Sequence, residues 1–118
     1  MQPNFYHKDL AVSGRWEKMS FAEQMANIGS EVERAISWKK KNNLKYSREA
    51  FFRALELADF TIADKRNKKR LGELCRVREV LVDYFFGDNL YKSSDLLWQK
   101  YFRAFNWKAS LERRKITH

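Results

Sequence analysis

Four glycines and one proline are all that punctuate this chain of 118 residues. A chain so poor in turn-makers lacks the material for the many tight reversals of a β-sandwich or barrel. Between these breaks the apolar side chains recur in steps of three and four, the spacing of helices with one face turned inward. No stretch alternates with the period of two that a half-buried strand requires.

Four helices can be placed from these steps, near residues 20–41, 47–63, 68–86 and 94–113. The first opens on Ser20 and Glu23, a capping box, and carries Met25, Ile28, Val32, Ala35 and Ile36 on one stripe. Lys39, Lys40 and Lys41 suit its negative end, and Asn42-Asn43 is a stop. The second should be capped by Ser47 and carry Phe51, Leu55, Ala58 and Ile62, with Phe52 widening the stripe. The third carries Leu71, Leu74, Val77, Leu81, Tyr84 and Phe85, with Gly87 at the left-handed position after its end. The fourth is capped by Ser93 or Ser94. Short connections make successive helices antiparallel neighbours, so the expected fold is an all-α, up-down four-helix bundle. Residues 1–15 read as an extended N-terminal arm, which Phe5, Tyr6 and Leu10 would pin to the core. The length suits one domain spanning residues 1–118.

The single cysteine, Cys75, excludes an intrachain disulfide and is expected as a small buried hydrophobe of the third helix. Together with the lack of an apolar leader or membrane span, it predicts a reducing, cytoplasmic setting. The two histidines, His7 and His118, stand near opposite ends of the sequence, so no zinc-type cluster is present. No glycine-rich phosphate loop or Ser/His/Asp set appears, and neither a cofactor nor an enzymatic activity is expected.

Within the third helix, the run Arg78-Glu79-Val80-Leu81-Val82-Asp83-Tyr84-Phe85 resembles the signature of HEPN domains. These are small helical bundles common in prokaryotic toxin–antitoxin and defence systems. Their signature is an arginine, an intervening polar and aliphatic run, a histidine and commonly an aromatic soon after. Arg78, Leu81, Val82 and Phe85 match, and Asp83 stands where the histidine would be. In ribonuclease members the resemblance implies a histidine that shuttles a proton as the 2′-OH attacks phosphate, a task suited to a pKa near neutrality. An exposed aspartate is negative there and repels phosphate. Arg78 and Asp83 are therefore expected to be structural, and the chain a non-catalytic module of HEPN-like type.

The formal net charge is +9, concentrated in three stretches of predominantly basic sequence: 39–53, 65–78 and 100–118. Lysines after the first helix and Arg113-Arg114-Lys115 at the end of the fourth answer helix dipoles. The run Lys65, Arg66, Lys68, Lys69 and Arg70 does not: it precedes a helix, where each well-placed cation costs about 0.3–1 kcal/mol. In an up-down bundle this run shares an end with Arg113, Arg114 and Lys115. The eight residues predict a basic pole able to hold an RNA or DNA backbone. Lys39, Lys40, Lys41 and Lys45 form the alternative, at the opposite end.

Trp98, Tyr101, Phe102, Phe105 and Trp107 cover more of the fourth helix than one bundle core hides. The excess predicts packing by the arm or a homo-oligomeric contact. A self-associating helical interaction protein is thus the alternative to a nucleic-acid-binding one.

Overall fold

The computed structural model describes His7 and residues 13–116. Most of the expected arm, including Phe5, Tyr6 and Leu10, lies outside these residues. Four α-helices and two 3-10 segments account for the described chain: a 3-10 turn at Trp16–Lys18, α1 (Phe21–Lys40), α2 (Leu44–Ala63), a 3-10 helix at Lys65–Arg70, α3 (Leu71–Phe85) and α4 (Asp95–Ile116). No strand occurs among the described residues. No helix among them is long and apolar enough to cross a membrane.

Contacts along the helices run in opposite directions at every step, which gives the up-down bundle. Ser47 meets Ala35 and Arg53 meets Glu31 between α1 and α2. Phe51 meets Phe85 and Asp59 meets Arg78 between α2 and α3. Helix α4 lies antiparallel along α1, from Ser20 against Glu112 to Glu33 against Gln99. The main backbone packing is that of α1 on α2 and on α4. Helix α1 is therefore central, and Met25, Ile28, Val32, Ala35 and Ile36 are all buried, the stripe its sequence spacing requires.

The capping serine of α1 is in place, with Ser20 Oγ accepting from the Glu23 amide at 3.1 Å. At the far end each asparagine has its own task. Asn42 takes a φ of 61° and stops α1, while the Asn43 side chain accepts from the Tyr46 amide and starts α2. This moves the start of α2 to Leu44. Ser47 is not the cap; it is buried inside the helix and its hydroxyl donates to the Ala35 carbonyl at 2.7 Å.

Helix α3, by contrast, starts later than its sequence pattern predicts. Asp64 caps the 3-10 helix Lys65–Arg70 by accepting from the Arg66 amide, and only then does α3 begin. Its buried stripe is narrow: Leu74 and Leu81 are fully enclosed, while Leu71 is 41% exposed. Cys75, one position round from Leu74, consequently faces outward and is exposed, contrary to the expectation of burial. Gly87 does not adopt the left-handed conformation; Asn89 and Lys92 do, at φ 54° and 56°. Its lack of a side chain matters for proximity, since a Cβ there would lie 3.0 Å from the Asp83 carbonyl oxygen.

Helix α4 is capped by Ser94, whose hydroxyl accepts from the Leu97 amide. It buries Trp98, Phe102 and Ala109 against α1 and the core. The approach is closest at Gly29, where an added Cβ would come within 2.6 Å of Phe102 Cβ. Alanine is the better helix former by about 1 kcal/mol. Here the clash outweighs that gain, because the facing atoms are at the rigid base of a buried ring. Gly29→Ala is expected to destabilise the bundle by about 1–3 kcal/mol, read as a lowered midpoint in urea unfolding.

Candidate nucleic-acid interface

The pole formed by the start of α1, the end of α2, the 3-10 helix and the end of α4 is built on a buried polar network. Trp16, in the turn before α1, is 2% exposed, and its indole N–H donates to Thr61 Oγ1 at 3.1 Å. Gln24, fully enclosed on α1, donates through Nε2 to the Trp16 carbonyl and to Asp64 Oδ2 at 2.8 Å. Its own carbonyl oxygen accepts from Asn67 Nδ2, which also donates to the Thr61 carbonyl. Each of these buried groups has a partner, as burial in low dielectric demands.

Arg66 belongs to this network. Its guanidinium pairs with Asp64 at 2.8 Å and donates to the Met19 carbonyl, tying the 3-10 helix to the turn before α1. The Arg66 guanidinium holds the Asp64 carboxyl down to about 2, against burial, which pushes it up, and with help from Gln24. Of the eight cations expected at this pole, Arg66 thus also has a structural task, while its side chain stays half exposed. The electrostatic cost of the basic run at a helix start is likewise offset in part by Asp64, the acidic cap.

Lys65, Lys68, Lys69 and Arg70 are exposed. Arg70 lies 4.2 Å over the Phe21 ring, which in turn packs edge-on against Phe105 of α4. Arg113 bonds Ser110, and Arg114 lies over the Trp107 ring at 5.9 Å. The two basic clusters therefore occupy one end of the bundle, on either side of Phe21 and Phe105. Arg15 and Lys18 are exposed at the same end, because the Trp16 turn folds back onto it. Sequence spacing missed them: a single 3-10 turn has no period, and the only signal was a tryptophan among polar neighbours. Acids are also present there, namely Glu17, Glu23, Glu73 and Glu112 besides Asp64. Of these, Glu112 accepts from Ser20 Oγ and Glu73 from the Tyr101 hydroxyl.

At the opposite end the cations are laid over rings. Lys39 sits over Tyr84 and Phe85, Lys41 over Trp38, and Arg48 over Phe86. Lys40 and Lys45 are exposed.

Arg78 forms a two-pronged pair with Asp59 of α2, Nε to Oδ1 at 2.7 Å. Asp83 accepts from the backbone amides of Leu90 and Tyr91 at 2.9 and 3.0 Å, closing the loop after α3. Each thus makes a structural contact of its own. Among the described residues no group of three or more His, Cys, Asp or Glu side chains could hold a metal ion.

The aromatic set of α4 divides. Trp98 and Phe102 are buried in their own chain and stack on each other at 5.9 Å, so they belong to the core. Tyr101 and Phe105 are half-buried against the core, and burial together with Glu73 pushes the Tyr101 hydroxyl pKa up. Tyr84, shielded on α3 and donating to Asp95, is likewise pushed up, to about 12. Only Trp107 stands clear, 60% exposed. Between α3 and α4 a groove of about 460 Å³ is lined by Val77, Val80, Leu97, Trp98 and Tyr101. The Trp98 indole N–H is buried without an acceptor.

Comparison of the chain with protein-family models, curated proteins and solved structures returns no match.

The Asp64 carboxyl fixes how the pole responds to acid. Its folded pKa lies below the ordinary value of 3.8, so its contribution is complete above about pH 4 and is lost as pH falls toward 2. The loss amounts to about 2 kcal/mol. Asp64→Asn is expected to cost a comparable amount at neutral pH and to flatten the stability profile between pH 4 and 2, measured by urea unfolding across that range.

Proposed function

We propose that this protein is a non-catalytic helical module that binds the backbone of a nucleic acid through its basic pole. The observation that carries the reading is the division of labour among the cations at that end. Arg66 alone is committed to the buried network, through Asp64. Lys65, Lys68, Lys69 and Lys115 are exposed around it, with Arg113 beside Ser110 and Arg114 over Trp107, both also exposed. Cations arranged this way release condensed counterions from phosphates and give affinity without sequence preference. The resemblance of the run Arg78 to Phe85 to HEPN domains supports a role beside nucleic acid. The engagement of Arg78 with Asp59, and of Asp83 with the loop backbone, favours binding over cleavage.

Affinity for RNA or DNA should fall steeply with salt, with a log–log slope set by the number of phosphates neutralised. Replacing Lys65, Lys68 and Lys69 together with Ala should weaken binding at least tenfold and reduce that slope by about two to three. Stability should change by less than about 1 kcal/mol, since the three side chains are exposed. Fluorescence anisotropy at several salt concentrations checks this. No binding at low salt overturns the reading, and full binding by the triple variant relocates it to Lys39, Lys40, Lys41 and Lys45.

Self-association is the second reading, and the groove between α3 and α4 favours it. Leu97, which lines it, is 57% exposed, an apolar side chain left in water at a groove that is itself mainly apolar. Light scattering of the wild type against Leu97→Glu tests it.

A further inference from the structure

From the outer face of α4 we infer that the nucleic acid this protein takes is single-stranded, with a base stacked on Trp107. The inference rests on the basic-pole reading and names its substrate class. At 100° per residue, Lys100, Arg103, Lys108, Arg114 and Lys115 fall with Trp107 in one sector of about 140°. All six are exposed. The two acids of the helix lie outside that sector and are engaged elsewhere, Asp95 by the Tyr84 hydroxyl and Glu112 by Ser20. The sector runs about 22 Å along the helix at 1.5 Å per residue, and its far end is the pole itself.

The Trp107 indole is 60% exposed among cations, an aromatic face open to solvent beside positive charge. It suits a strand whose bases are free. Phosphates then meet the flanking lysines and arginines while a base covers the ring, as in sequence-tolerant single-strand binding. A duplex keeps its bases stacked inside and offers the ring nothing. Arg114, 5.9 Å over the same ring, joins the stack to the pole. An anionic lipid surface fits less well. Membrane-lying helices segregate an apolar face from a basic one, whereas here Lys100 and Arg114 sit within the same arc as Trp107 and Leu111.

The test uses the full chain, with oligo(dT), the same strand annealed to oligo(dA), and vesicles containing phosphatidylserine, at low and moderate salt. The expected result is tighter binding of the single strand than of the duplex, with quenching of tryptophan fluorescence. Trp107→Ala should lower single-strand affinity roughly tenfold or more and leave duplex affinity unchanged. Trp107→Phe, which keeps a ring, should retain most of it. Equal affinity for both forms overturns the inference while the basic-pole reading stands, and so does a single-strand preference unaltered in Trp107→Ala. Binding of neither form at low salt overturns both. Binding to vesicles alone assigns the face to lipid and also overturns both.

Discussion

The short chain of hydrogen bonds through Gln24 holds the architecture at one end. A glutamine on α1 with no exposed surface accepts from Asn67 and donates to Asp64 and to the Trp16 carbonyl. Three segments that share no hydrophobic period, the Trp16 turn, α1 and the 3-10 helix, are thereby registered against one another. Apolar burial alone would let such short segments slide. A buried amide does not, because any shift strands a donor or acceptor at a cost of about 1–3 kcal/mol each. Asp64 then performs two tasks: it caps the 3-10 helix and holds Arg66, which reaches back to Met19.

Much of the bundle was legible in the sequence where periodicity is strong. The α1 stripe is a run of five apolar side chains in steps of three and four, and all five are buried. The caps were half legible. Ser20 and Ser94 cap as their positions require, but Asn43 displaces Ser47 because a one-residue left-handed stop at Asn42 leaves room for an earlier start. The 3-10 helix was illegible, since its residues are Lys, Arg and Asn with no apolar period, and only a buried Asn67 and an acidic cap make it ordered. Cys75 was misplaced because a window of apolar residues does not say how narrow the buried stripe is. Helix α3 packs mainly on α2, so it buries fewer positions than its composition permits.

The candidate site was legible as charge and not as arrangement. Counting cations before a helix identifies Lys65 to Arg70 as anomalous, but not that the Arg66 guanidinium, still half exposed, is paired with an acid two residues away. Nor does it bring in Arg15 and Lys18, which reach the pole through the fold of a turn anchored by Trp16. In α4 the sequence shows five aromatics and cannot rank them. Burial does, separating Trp98 and Phe102 from Trp107.

Unequal packing makes α3 the helix with least to lose on opening. Its enclosed side chains are two leucines, and its links to α4 are made mainly by side chains at its two ends, Tyr84 with Asp95 and Glu73 with Tyr101. Opening free energy scales with what an element buries, so amide exchange should be fastest in α3 and slowest in α1. The segment from Leu71 to the loop closed by Asp83 is then expected to open before the rest of the bundle. Such opening would carry away Val77 and Val80, one wall of the groove, while the packing of α1 on α2 and on α4 does not depend on α3.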